Sequence, residues 1–137
     1  VDRLRVLLPG LWAGLLLCMG LIAAPAPFAT LLPADAGRVV ARMFAQEAYF
    51  SLVLAVAVVL LERRRSQGLN AQILLALGAL FCTVAGYFAV QPLMAAARAG
   101  QGALSFGLLH AVSLGFFTLK GLLVLALAWR VATKPIS

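Results

Sequence analysis

Acidic side chains are scarce in this chain. Its 137 residues include four, Asp2, Asp35, Glu47 and Glu62, and a single histidine, His110. No two of the acids are spaced as a general acid/base dyad, no serine or cysteine has a paired base beside it, and no glycine-rich phosphate loop follows a strand. An independent enzyme of the soluble type is thereby excluded, and neither a catalytic residue nor a metal centre is assigned. Cysteine is equally sparse: Cys18 and Cys82 both lie in apolar stretches, imply no structural disulfide, and read as small packing residues. Charged residues make up 11% of the chain and hydrophobic ones 64%, with a mean hydropathy of +1.07. A water-facing surface cannot be assembled from that inventory, so the chain is read as a polytopic membrane protein.

What is present is a set of long apolar runs. A helix needs about 20 residues to cross a hydrocarbon core of roughly 30 Å. The runs are continuous and of helix length, not the alternating segments of a barrel. The spacing predicts helices over approximately 4–28, 36–64, 70–94 and 104–132. Together they make one all-α, four-transmembrane-helix, up-down-up-down bundle over residues 1–137.

Val6 to Ala24, preceded by Arg3 and Arg5, imitates a secretory signal but is longer than a signal centre and is followed by three more spans. It is read as a retained first helix. Pro9 is tolerated near its start, and Pro25 and Pro27 are expected to end it. Residues 28–37 read as an interfacial connection broken by Pro33, with Asp35 as N-cap of the second helix. In that helix only Ala48 to Leu61 is uninterrupted by charge, too short to cross alone, so Glu47 must enter the hydrocarbon margin. Glu62 to Arg65 with the following SQGLN forms the next turn. Gln91-Pro92 is taken as the far end of the third helix, and Arg98, Gly100 and Gly102 as the loop after it.

The net charge of +7 collects at the ends of the apolar runs, which assigns it to lipid headgroups and not to nucleic acid. With the N-terminus inside, seven basic residues (Arg3, Arg5, Arg63, Arg64, Arg65, Arg130, Lys134) face the cytoplasm and three (Arg38, Arg42, Arg98) face away. The excess predicts both termini in the cytoplasm of a bacterial inner-membrane protein.

Small residues recur at helix-contact spacing: Gly10 and Gly14 in the first helix, Gly78, Cys82 and Gly86 in the third, Gly107, Ala111 and Gly115 in the fourth. The last two stripes predict close packing of the third helix on the fourth.

The polar groups most in need of explanation are Glu47, His110 and Lys120. His110 and Lys120 lie in Phe106–Arg130, where an intramembrane ionisable group costs on the order of 3 kcal/mol unless it faces protein or water. His110, Ser113, Phe117, Lys120 and Gly121 share one helical face, and Lys120 leans toward its helix N-terminus, to the level of Glu47. One reading is a polar cluster lining a cavity that relays protons or holds a ligand. The other is mutual neutralisation that fixes helix register. Tyr49, Tyr87, Thr83 and Gln91 are expected to satisfy one another or interfacial water. Cys18, Met19, Met43, Cys82, Met94 and His110 are ligand types suited to Cu(I), but no spacing brings two together.

Several residues carry a family resemblance: Trp12-x-Gly14, then Ala24-Pro25-x-x-Phe28-Ala29-x-Leu31, Ala36-Gly37 and Phe44, and finally Phe106-x-x-Leu109-His110-x-x-Ser113. The pattern resembles the bacterial domain-of-unknown-function 4149 family, which is similar to eukaryotic transmembrane protein 205 and, more distantly, to the CopD-like group of four-helix units. The resemblance implies the four-helix fold. Through the distant relatives it points to copper handling or tetrapyrrole chemistry, although haem held by two axial protein ligands calls for a second strong ligand beside His110. No cofactor is therefore predicted, with haem and copper kept as alternatives.

The preferred reading is a non-enzymatic accessory or scaffold subunit that packs in a larger membrane complex or with itself; the alternatives are a small transporter or channel-like unit using Glu47, His110 and Lys120, and a tetrapyrrole- or copper-linked membrane protein.

Overall fold

A computed structural model describes residues 2–133, which form helices α1 (Asp2–Cys18), α2 (Pro25–Thr30), α3 (Pro33–Arg65), α4 (Ala71–Thr83), α5 (Val90–Arg98) and α6 (Phe106–Thr133). Lys134 of the basic-residue count lies outside them. Two π-helical segments, Met19–Ala23 and Val84–Phe88, join α1 to α2 and α4 to α5. The helical path thus gives four spans, Asp2–Thr30, Pro33–Arg65, Ala71–Arg98 and Phe106–Thr133, each long and apolar enough to cross a membrane.

The spans alternate in direction and pack around a square. α1 lies against α3 and α6, and α4 against the same two, so α1 faces α4 and α3 faces α6 across the diagonals. The outward side chains, among them Leu11, Leu21, Leu60, Leu122 and Trp129, form an apolar coat that only lipid would solvate.

Several ends differ from the sequence reading, each for a local reason. Pro25 and Pro27 do not end the first span. Pro25 cannot donate to the carbonyl of Leu21, and the chain absorbs the loss in a wider turn, with Ala24 N–H donating to Met19 O at 2.9 Å, before continuing as α2. Pro92 does the same to the third span: Ala89 N–H donates to Val84 O at 2.9 Å and helix continues to Arg98. Pro33 is no breaker either. It occupies the first turn of α3, where a missing N–H costs nothing, and Leu32 is the N-cap, so Asp35 is free to pair with Arg38 instead of capping.

One half of the bundle is closed. Trp12, Leu16, Ala55, Ala76, Val124 and Leu127 form its core at 2% exposure or less, and the small alanines let the four backbones approach. Beyond the π segments the square opens, because an extra residue in a turn rotates the helix faces by roughly 100°. There α2 packs on α3, α5 packs on α6, and the two pairs stand apart.

A closed half and an open half: the candidate site

Between those two pairs lies a cavity of about 620 Å³ that reaches down to the boundary with the closed half. Its floor is made by Glu47 of α3 and Lys120 of α6, side chains that meet across the diagonal with Lys120 Nζ donating to Glu47 Oε1 at 2.6 Å. Both are buried, at 4% and 3% exposure.

Local spacing explains how they are held. Glu47 and Ser51 are one turn apart on α3, and Ser51 Oγ donates to Glu47 Oε1 at 2.5 Å. Trp12 Nε1 of α1 in turn donates to Ser51 Oγ at 3.0 Å. The chain Trp12–Ser51–Glu47–Lys120 therefore ties three spans together at one level. Glu47 Oε1 takes both donors, and Oε2 takes no hydrogen bond among the described residues in a side chain that borders the cavity.

Beside the pair, Phe117 packs edge-on to Phe44 with ring centroids 5.1 Å apart, and the Lys120 ammonium sits 5.4 Å from the centroid of the same Phe117 ring. The ring fits because Gly20 has no side chain: a Cβ there would lie 3.2 Å from Phe117 Cε1. A cation over an aromatic face, with its carboxylate at hydrogen-bond distance, is a charge-neutral polar floor framed by apolar walls.

His110 is placed elsewhere. It borders the same cavity nearer the start of α6, exposed, its ring stacked on Phe106 at 6.1 Å and 15°. Arg98 lies 4.7 Å from the Phe106 centroid. Of the three proposed polar residues the structure brings two into contact and sets the third at the mouth. Ser113, from the same α6 face, donates to the Gly86 carbonyl at 2.9 Å inside the second π segment. Thr83 and Gln91 do not satisfy each other: Thr83 Oγ1 donates to Ala79 O at 2.9 Å, and Gln91 Nε2 approaches Met94 Sδ at 3.9 Å.

The small-residue stripes are used unevenly. α4 and its π segment do pack on α6, but Gly78 and Gly86 receive Leu123 and Phe116 there: a Cβ on Gly78 would lie 3.1 Å from Leu123 Cδ1 and one on Gly86 2.4 Å from Phe116 Cβ. Gly107 and Gly115 have nothing within 4 Å and Ala111 is exposed, so the α6 stripe faces outward, not toward the third span. Gly10 and Gly14 are likewise open. Cys82 is buried and borders the cavity, whereas Cys18 is exposed.

A second polar cluster at the closed end was not anticipated. Glu62, assigned by sequence to a turn, is 1% exposed on α3 and pairs with Arg5 of α1; Asn70 Nδ2 donates to its Oε2 at 3.3 Å. Its position, fifteen residues after Glu47 on a face that also buries Ser51, Ala55 and Val58, is the signal that could have found it. Nearby in sequence, Gln72 is fully buried with neither Nε2 nor Oε1 bonded.

The donor set bears on the cofactor question. Among the described residues no three His, Cys, Asp or Glu side chains gather as a metal site, and His110 is their one imidazole.

Four antiparallel apolar helices around an intramembrane ion pair define a multi-pass α-helical membrane protein. Within that class, the family model described as Domain of unknown function (DUF4149) matches residues 7–103, and the chain belongs to that family. The match ends before the fourth span, so Lys120 and His110 lie outside it while Trp12, Glu47 and Ser51 lie within. No curated protein and no solved structure matches the chain.

Proposed function

We propose that this protein is a small ligand-handling unit of the membrane, which holds a molecule in the open half of its bundle against the Glu47–Lys120 floor. The observation that carries the reading is the cavity of about 620 Å³ that ends on that pair, a size suited to a small organic ligand. A register device alone requires no such space beside it. The basic-residue excess supports placing both termini in the cytoplasm of a bacterial inner membrane, with the cavity toward the outer leaflet.

The test is native mass spectrometry of the full chain extracted in mild detergent. A non-protein mass should be retained at one per chain, and Ala41→Trp, which fills the cavity wall, should remove it. A chain that carries no such mass and binds no added amphiphile contradicts the reading.

A second reading has its own support. The open faces of Gly10, Gly14, Gly107 and Gly115 suit close approach by helices of another chain, as an accessory subunit would require. Stoichiometric recovery of a protein partner, lost on Gly14→Leu or Gly115→Leu, would favour it.

A further inference from the structure

We infer that the ligand is an anionic amphiphile whose acidic head pairs with Arg98 and whose apolar body lies along the aromatic walls, an inference that rests on the cavity being a ligand site. The chain has four carboxylate side chains, and each is already engaged: Asp2 with Arg65 at 2.9 Å, Asp35 with Arg38, Glu47 with Lys120 at 2.6 Å, and Glu62 with Arg5. Arg98 borders the cavity with no carboxylate partner among the described residues. Among the cationic side chains without a carboxylate partner, Arg98 is set apart by bordering this cavity, where a bound anion can reach it.

The setting selects the kind of anion. A guanidinium matches the two oxygens of a carboxylate or phosphate, and the Arg98 guanidinium carbon lies over the Phe106 ring, 4.7 Å from its centroid. His110, on the same Phe106, adds a second nitrogen donor at the mouth. Phe28 and Gly37 line the outer part, and further in the walls change character: Phe44 and Phe117 supply apolar surface, and Gly20 and Ala41 leave the room between them. The fourteen residues from Phe106 to Lys120 correspond to about 21 Å of helix, room for an extended hydrocarbon or aryl body. At the bottom the Glu47–Lys120 pair is neutral overall and asks for no second charge. A cationic head would meet Arg98 unfavourably, and a neutral one would leave it without a counter-ion.

Such a molecule could come from the surrounding leaflet as an anionic phospholipid, or be a free fatty or aryl acid. Titration of the full chain in neutral detergent, followed by native mass spectrometry, separates these. The probes are oleate, phosphatidylglycerol and monoolein, the last as the uncharged comparison. Oleate, phosphatidylglycerol or both should bind one per chain at least tenfold more tightly than monoolein. Arg98→Gln should abolish that preference, and Arg98→Lys should restore part of it, at unchanged thermal stability. Binding of oleate alone identifies a free acid; binding of phosphatidylglycerol identifies a lipid.

If Ala41→Trp blocks all three probes but monoolein binds as well as oleate, or Arg98→Gln binds oleate as the wild type does, the anionic class is wrong and the ligand site stands. If Ala41→Trp changes nothing, the ligand site itself is wrong.

Discussion

The closed and open halves of this bundle are built from the same four spans, yet one is filled and the other is hollow. In the closed half, alanines at 55, 76 and 79 alternate with Leu16, Val124 and Leu127, so backbones approach and side chains fill what remains. In the open half, the positions that would face one another carry Gly20, Gly37 and Ala41 on one side and rings such as Phe106 on the other, and the two helix pairs touch through Phe44–Phe117 and the Glu47–Lys120 floor with the cavity between them. The transition falls at the two π segments, each followed within four residues by a proline. Packing in lipid is a matter of fit between helices more than of escape from water, so a rotation of helix faces is enough to leave a cavity. A buried ion pair marks the seam, and it is neutral as a unit on both sides.

The largest effect expected from breaking that contrast is at the seam. Glu47→Gln or Lys120→Met alone should cost about 3–5 kcal/mol of stability, since each strands a buried charge, whereas the double variant should recover most of the loss. Unfolding titrations in detergent read this directly; singles no worse than the double would mean the pair is not formed. Next comes Gly86→Ala, which drives a methyl into Phe116 and should cost about 2–3 kcal/mol, against about 0.5 or less for Gly115→Ala, which meets nothing. Equal effects at the two glycines would erase the difference between the inner and outer faces.

Ser51→Ala should cost about 1–2 kcal/mol, because the Trp12 indole N–H is left unpaired and Glu47 loses a donor. The smallest change has the opposite sign. Gln72→Met keeps the volume and removes two unpaired polar atoms, so thermal stability should rise by about 0.5–1 kcal/mol. A loss instead would show that the closed half holds a buried water or a partner at Gln72.

Much of the architecture was legible because the bilayer imposes it: apolar length and flanking charge are enough to count four spans. The residues that shape the cavity were less so. A proline in an apolar run reads as an end, but Pro25 and Pro92 follow wide turns that carry the helix past them. A glycine stripe states that one face can be approached closely without stating what approaches it. Gly86 takes Phe116, while Gly107 and Gly115 turn away from the bundle. The level of Lys120 relative to Glu47 could be reckoned from helical rise and side-chain lean. That they meet across a diagonal could not, since it depends on the order in which four spans are arranged. Glu62 was obscured by the three arginines after it, which made a buried acid resemble part of a charged turn.

Thiol accessibility across the seam tests the central claim most directly. In a Cys18→Ser, Cys82→Ser background reconstituted in lipid, Ser113→Cys borders the cavity and Ala76→Cys lies in the closed core. A small methanethiosulfonate reagent should modify Ser113→Cys at least tenfold faster than Ala76→Cys, and Ala41→Trp should suppress the reaction at 113. Equal rates at the two positions would contradict a bundle that is sealed on one side of Glu47–Lys120 and open on the other.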